Sequence, residues 1–201
     1  MEKDNNQISN VDTPVKTKLK KGLESAWDLF KFAIIALIIV IPIRMFIAQP
    51  FVVSGESMFP TFHDGEYLII DELSYIIGNP HRGDVIVFRY PNNPKRFFIK
   101  RIIGMPNEEI SINNGTVIII NKENPNGFTL KEPYIDEQFN TTTSYKTGEG
   151  EFFVMGDNRN KSSDSRVWGI LPRKLMTGRA YLRLLPLKEI SYLPGYYKEL
   201  K

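Results

Sequence analysis

The chain has 201 residues, with 26 Lys and Arg against 23 Asp and Glu, for a formal charge of +3. Hydrophobic residues make up 42%, which excludes a disordered or collagen-like chain and provides for a packed core. A charge of +3 does not by itself imply a nucleic-acid partner. The absence of cysteine excludes a disulfide framework, thiolate zinc sites and a cysteine nucleophile. Two histidines, His63 and His81, leave little room for a histidine-rich metal site.

The residues before Phe32 are polar and carry a basic cluster, Lys16, Lys18, Lys20 and Lys21. An apolar run follows from Phe32 to Ile43, is interrupted by Arg44, and resumes from Met45 to Ala48. From Trp27 to Ala48, at about 1.5 Å per residue, a helix would span about 33 Å, enough for a bilayer core of about 30 Å. Three readings compete: a buried soluble helix, a cleaved signal peptide and an uncleaved anchor. Near-uniform hydrophobicity opposes the first. A cut after Ala48 would put Phe46 at a small-residue position, with Pro50 just beyond, which opposes the second. The third is the expectation. The division is then a cytoplasmic segment over 1–26, a transmembrane anchor over 27–48 and an extracytoplasmic body over 49–201. The lysines ahead of the anchor set that orientation.

After the anchor come short apolar runs of strand length: Phe51–Ser54, Tyr67–Asp71, Val85–Arg89, Phe97–Ile103, Glu109–Ile112, Thr116–Ile120, Phe152–Met155 and Arg179–Leu184. Asn113, Asn114 and Gly115 separate two of them as a tight hairpin turn. The polar stretch 121–150 reads as an exposed insertion with loops. The fold expected is mainly β: one N-terminal transmembrane helix, then an antiparallel sheet or partly closed barrel.

Several reactive motifs are missing. There is no His-Glu-x-x-His zinc signature, no phosphate-binding P-loop and no serine followed three residues later by lysine. The informative stretch is Ser54-Gly55-Glu56-Ser57-Met58-Phe59-Pro60-Thr61, directly after an extended run. Glycine, a small hydroxyl and proline make a fixed turn that can present Ser57 Oγ and aim backbone N–H groups at an oxyanion. An ordinary serine-rich turn has the same composition. A nucleophilic serine needs a base. His63 and His81 both sit in polar, turn-like surroundings, where surface histidines are common. The alternative base is a lysine made neutral by burial. Lys100 lies in Phe97-Phe98-Ile99-Lys100-Arg101-Ile102-Ile103, where alternation puts Phe98, Lys100 and Ile102 on one face and Arg101 on the other. An edge-strand lysine that blunts aggregation would fit the same pattern. A third cluster runs from Gly156 to Arg166, dense in Asp, Asn, Arg and Ser. Asp157 or Asp164 could pair there with Arg101, Arg159 or Arg166, or the stretch could be a solvated turn.

Together these stretches resemble bacterial type I signal peptidase, the leader peptidase of the serine–lysine class. The matching pieces occur in the family's order behind one N-terminal anchor. They are Ser57-Met58-Phe59-Pro60-Thr61, then Gly83-Asp84-Val85-Ile86-Val87-Phe88, then Lys100-Arg101-Ile102-Ile103-Gly104, then Gly156-Asp157-Asn158-Arg159 with Ser162 and Asp164-Ser165-Arg166. The resemblance implies a membrane-bound serine endopeptidase that removes signal peptides from secretory preproteins. It prefers small residues at the first and third positions before the cut. Ser57 would be the nucleophile and Lys100 the general base. Ser162 would orient the Lys100 amine, and Asp157, Asp164 and Arg166 would hold the site by ion pairs. Where some members carry a hydroxyl two residues before the nucleophile, this chain has Gly55, so its oxyanion hole rests on backbone N–H groups, including that of Ser57. No metal, organic cofactor, nucleic acid or obligate protein partner is implied; the partners are preproteins and the lipid bilayer. Two alternatives stand beside this reading: a LexA-like self-cleaving protease, and a membrane-tethered binding module without catalysis.

Overall fold

The computed structural model describes residues 27–40 and 49–197. The chain divides into two units, Met1–Arg44 and Met45–Lys201. In the first, residues 27–40 form a helix (α1), with Leu29, Phe30, Phe32, Ile35 and Ile38 all more than half exposed. At about 1.5 Å per residue α1 is about 21 Å long. Among the described residues no helix is long and apolar enough to cross a membrane. The rest of the expected anchor, 41–48, and the basic segment 1–26 lie outside the described residues.

The second unit is built on antiparallel strands. Its larger sheet takes in β1 (Gln49–Val52), β2 (Tyr67–Asp71), β3 (Val85–Tyr90), β4 (Asn93–Gly104), β9 (Glu151–Met155), β10 (Leu171–Pro172), β11 (Met176–Leu185) and β12 (Ser191–Tyr192). The strand order is β1-β2-β11-β3-β4-β9-β10, with β12 also paired to β11. The smaller sheet, β7-β6-β5-β8, contains β5 (Glu109–Asn113), β6 (Thr116–Ile120), β7 (Phe128–Thr129) and β8 (Thr143–Lys146). Of the two arrangements expected from sequence, the antiparallel sheet is the one found: both strand orders end on edges, and the described residues form no closed barrel. Short strands such as β10 and β12 are too brief to complete a ring of paired backbone.

Most strand cores fall where the apolar runs stand. β2 and β6 keep the bounds read from sequence, and β4 is longer at both ends. β1 begins earlier and stops before Ser54, because Gly55 takes φ +88° and turns the chain. The β5–β6 hairpin closes through Asn114 (φ 47°) and Gly115 (φ 81°), with Asn113 paired to Thr116. Two consecutive positive φ angles match the twist of the flanking strands, which is why Asn-Gly stands there. Two short helices had no clear sequence signal: α2 (Leu73–Ile77) and α3 (Ser165–Trp168).

The stretch 121–150 departs from expectation. It supplies β7 and β8, and it buries Leu130, Tyr134, Phe139 and Thr147. Leu130, Tyr134 and Phe139 join Ile103, Ile110, Ile112, Val117, Ile119, Phe153 and Met155 in one core. Its apolar residues are spaced too irregularly for a period of 2 or 3.6 to stand out, so the sequence reads as loop. A second core packs Val53, Met58, Phe62, Leu68, Ile70, Val85 and Val87. A third, around Ile86, Phe88, Ile102 and Val154, lies on the other face of β3 and β4.

Candidate active site

The turn after β1 is pinned from several sides. Val53 N–H donates to the Glu66 carbonyl (2.9 Å), Phe59 N–H to that of Glu56 (3.1 Å) and Phe62 N–H to that of Met58 (2.9 Å). Gly55 N–H donates to Asp64 Oδ1 (2.7 Å). Met58 and Phe62 are fully buried. The turn therefore hangs from the core by its apolar residues, while Ser57, immediately before Met58, stays half-buried. Among the described residues the Ser57 N–H donates to no protein acceptor, which leaves it available to an oxyanion.

Lys100 reaches this turn from β4. Its Nζ lies 2.6 Å from Ser57 Oγ and 2.7 Å from the Ile99 carbonyl oxygen, to which it donates. The residue is only 4% exposed, so the edge-strand reading is corrected: burial removes the water an ammonium needs. Burial lowers the amine from its ordinary value to about 8, against the pull of Asp164 and Asp157. Among the described residues no carboxylate comes within ion-pair distance of it. A neutral amine has two N–H groups and one lone pair. With one N–H held by the Ile99 carbonyl, the lone pair can accept the Ser57 hydroxyl proton.

The loop after β9 completes the arrangement. Asn158 N–H donates to the Ser57 carbonyl (3.1 Å), which ties the loop to the serine backbone. Asp157 receives two bonds from Arg101, Nε to Oδ1 (2.8 Å) and Nη2 to Oδ2 (2.6 Å), and a third from Thr61 Oγ1 (2.5 Å). Asp164 accepts from Arg166 Nε and Nη2, both at 2.8 Å, and from Gly156 N–H at 3.1 Å. Of the pairings open in the sequence, the structure selects Asp157 with Arg101 and Asp164 with Arg166. Gly156 has no substitute: a Cβ there would lie 2.3 Å from both Ser162 Oγ and the Ser57 carbonyl oxygen. Ser162 thus packs beside the serine turn. Its buried hydroxyl makes no hydrogen bond among the described residues, and it is not bonded to Lys100 Nζ.

The histidines are elsewhere. His63 Nδ1 is 3.2 Å from Glu66 Oε1, His81 Nδ1 is 3.9 Å from Asp84 Oδ2, and neither ring is bonded to Ser57. A groove of about 340 Å³ opens beside Ser57 and Lys100, floored by Phe51, Val53, Leu68, Val87 and Ile99. Glu56, Arg96 and Lys161 stand around it, with Lys161 Nζ 2.8 Å from Glu56 Oε2. Sequence reasoning missed Thr61 and two residues of the 121–150 stretch. Glu132 takes both terminal nitrogens of Arg159, and the Tyr134 ring lies 3.9 Å from the Arg101 guanidinium. Thr61 lies in the stretch Ser57-Met58-Phe59-Pro60-Thr61, but nothing in its type announces a carboxylate partner far along the chain.

A hydroxyl held against a buried amine, beside a free backbone N–H and an apolar groove, is the equipment of an acyl-transfer hydrolase. Comparison with known proteins supplies the family. The model of the signal peptidase family, peptidase S26, matches residues 26–185. The chain is 36% identical over 187 residues to a probable signal peptidase I-1 of Synechocystis sp., covering 87% of this chain and 92% of that one. It is 32% identical to a signal peptidase I of Bacillus licheniformis, covering 89% and 97%. A crystal structure of a signal peptidase I from Enterococcus faecalis V583 aligns at 30% identity and a TM-score of 0.42, covering 50% of this chain and 96% of that one. The chain belongs to the signal peptidase S26 family and is a serine peptidase.

Proposed function

We propose that this protein removes N-terminal signal peptides from exported preproteins, with Ser57 as nucleophile and Lys100 as general base. The observation that carries the reading is the 2.6 Å approach of a desolvated, unpaired amine to a serine hydroxyl. Neutral Lys100 accepts the hydroxyl proton as Ser57 Oγ bonds to the scissile carbonyl carbon. The resulting oxyanion is met by the Ser57 N–H. The C–N bond breaks, and the departing amine takes the proton from the Lys100 ammonium. An acyl-enzyme remains on Ser57. Water then attacks it, giving its proton to Lys100, and Ser57 Oγ leaves and is reprotonated. Asp157, Asp164 and Arg166 hold the loop that backs Ser57, and Ser162 and the Ser57 carbonyl both close on Gly156 of that loop.

The groove supports a preference for small side chains before the cut. Val53, Leu68 and Val87 in its floor are already buried, so a substrate side chain finds little depth. The membrane assignment, with the N-terminus cytoplasmic and the body outside, is supported by the apolar stretch 32–48 and the lysines ahead of it. Tethering would raise the local concentration of membrane-borne precursors. The test is incubation of the purified protein with a precursor bearing an Ala-x-Ala site. The intact chain should release the mature product, and Ser57→Ala should release none. Release at an undiminished rate by a folded Ser57→Ala variant would end the assignment.

A further inference from the structure

The loop that carries Asp157 and Asn158 is gripped from a direction the catalytic pair does not explain. Arg159, at 4% exposure, donates Nε to the Gly156 carbonyl (3.1 Å) and both terminal nitrogens to Glu132, Nη1 at 3.1 Å from Oε2. Glu132 also accepts from the Tyr134 hydroxyl at 3.0 Å. The Tyr134 ring in turn faces the guanidinium of Arg101, whose other side of contact is the Asp157 carboxylate. Two residues two positions apart in the 121–150 stretch therefore meet both arginines flanking the loop. The charges around the loop pair one to one: Arg101 with Asp157, Arg159 with Glu132 and Arg166 with Asp164.

We infer that Glu132 is a positioning residue for the reaction at Ser57: it fixes Arg159, and through it the 156–159 backbone whose Asn158 N–H holds the Ser57 carbonyl. It touches neither the groove nor the reacting atoms. Arg159 is the lever because it follows Asn158 in the chain and its Nε bonds the Gly156 carbonyl, so it closes the loop on itself. Glu132 holds that lever from the loop between β7 and β8, whose Tyr134 and Phe139 are anchored in the core beneath the smaller sheet. Tyr134 orients the Glu132 carboxylate and covers Arg101, so the two gripping points move together. A displacement of this backbone shifts Ser57 relative to Lys100. Catalysis is steep in such a shift, while substrate binding in the groove is not.

The inference rests on Ser57 being the nucleophile, so Ser57→Ala is assayed in parallel. Glu132→Gln should lower kcat about tenfold or more, with KM within about twofold of the intact protein. Removing one partner of a buried ion pair also destabilises the fold, whereas removing both restores much of the loss. The double variant Glu132→Gln with Arg159→Met separates the two roles and serves if the single variant does not fold. Its thermal midpoint should recover towards that of the intact protein while kcat stays low. Recovery of kcat together with the midpoint would show that Glu132 serves stability only and would overturn the inference. So would a folded Glu132→Gln variant with undiminished kcat. An active Ser57→Ala variant would instead remove the assignment of Ser57 itself.

Discussion

Lys100 and Arg101 are neighbours on β4, are basic residues and are almost wholly buried, at 4% and 0% exposure. Their surroundings are opposite. Arg101 has all five N–H donors used: Asp157 takes two, the Gly83 and Gly195 carbonyls take Nη1 at 2.8 and 2.5 Å, Thr61 Oγ1 takes the last from Nη2 at 3.5 Å, and Tyr134 covers the guanidinium face. Burial works against its charge, and Asp157 more than restores it. Lys100 has a serine hydroxyl, a backbone carbonyl and the Phe98 ring, whose centroid is 5.4 Å away, but no ion-paired carboxylate among the described residues. One cation is therefore permanent and structural, while burial lowers the other to about 8. Alternation along a single strand makes this possible, because adjacent side chains leave opposite faces of it. A buried charge is tolerable when fully paired; an unpaired one relaxes by neutralising, which is what a general base requires.

The comparison can be broken in three ways. Lys100→Met should lower turnover by about 10³-fold or more, because among the described residues no other side chain is hydrogen-bonded to Ser57 Oγ to take its proton. Steady-state cleavage measured beside the melting profile checks it, and a folded variant with appreciable turnover would show that the base lies elsewhere. Asp157→Asn acts on the other neighbour. It leaves the Arg101 charge buried without its carboxylate, and unfolding stability should fall by about 3–5 kcal/mol in urea titration. A loss of only a few tenths would mean that the two carbonyls suffice for Arg101.

The smallest effect is a sharpening. With the Lys100 amine lowered to about 8, kcat/KM should fall about tenfold per pH unit below that value and level off above it. The same burial acts on stability with a definite sign. The folded amine loses its proton at about 8 and the unfolded one at its ordinary 10.5, so the unfolded chain holds more protons between them. Stability therefore rises with pH across that window, and this rise should vanish in Lys100→Met. A profile with its midpoint at 10 or above would mean that Lys100 is not desolvated in solution.

Much of this was readable in the residues. Strand positions follow from apolar runs between glycine, proline and asparagine, because local backbone preference and burial pattern are written in adjacent residues. The β5–β6 turn could be read from Asn-Gly for the same reason. Ser57, Lys100, Asp157 and Asp164 stood out once their order along the chain was seen. The reach of Glu132 and Tyr134 did not, since their stretch has no period and their partners lie on other elements. The division of the strands into two sheets also depended on which short strands pair, something no local pattern states.

The amino-acid sequence alone thus determined which residue types were at hand, and it determined that Lys100 and Arg101 must leave β4 on opposite sides. Tertiary packing decided which of those sides held a carboxylate. That choice separates the two pKa values, because the energy of a buried charge depends on what folds against it across long separations in the chain, not on its neighbours in sequence.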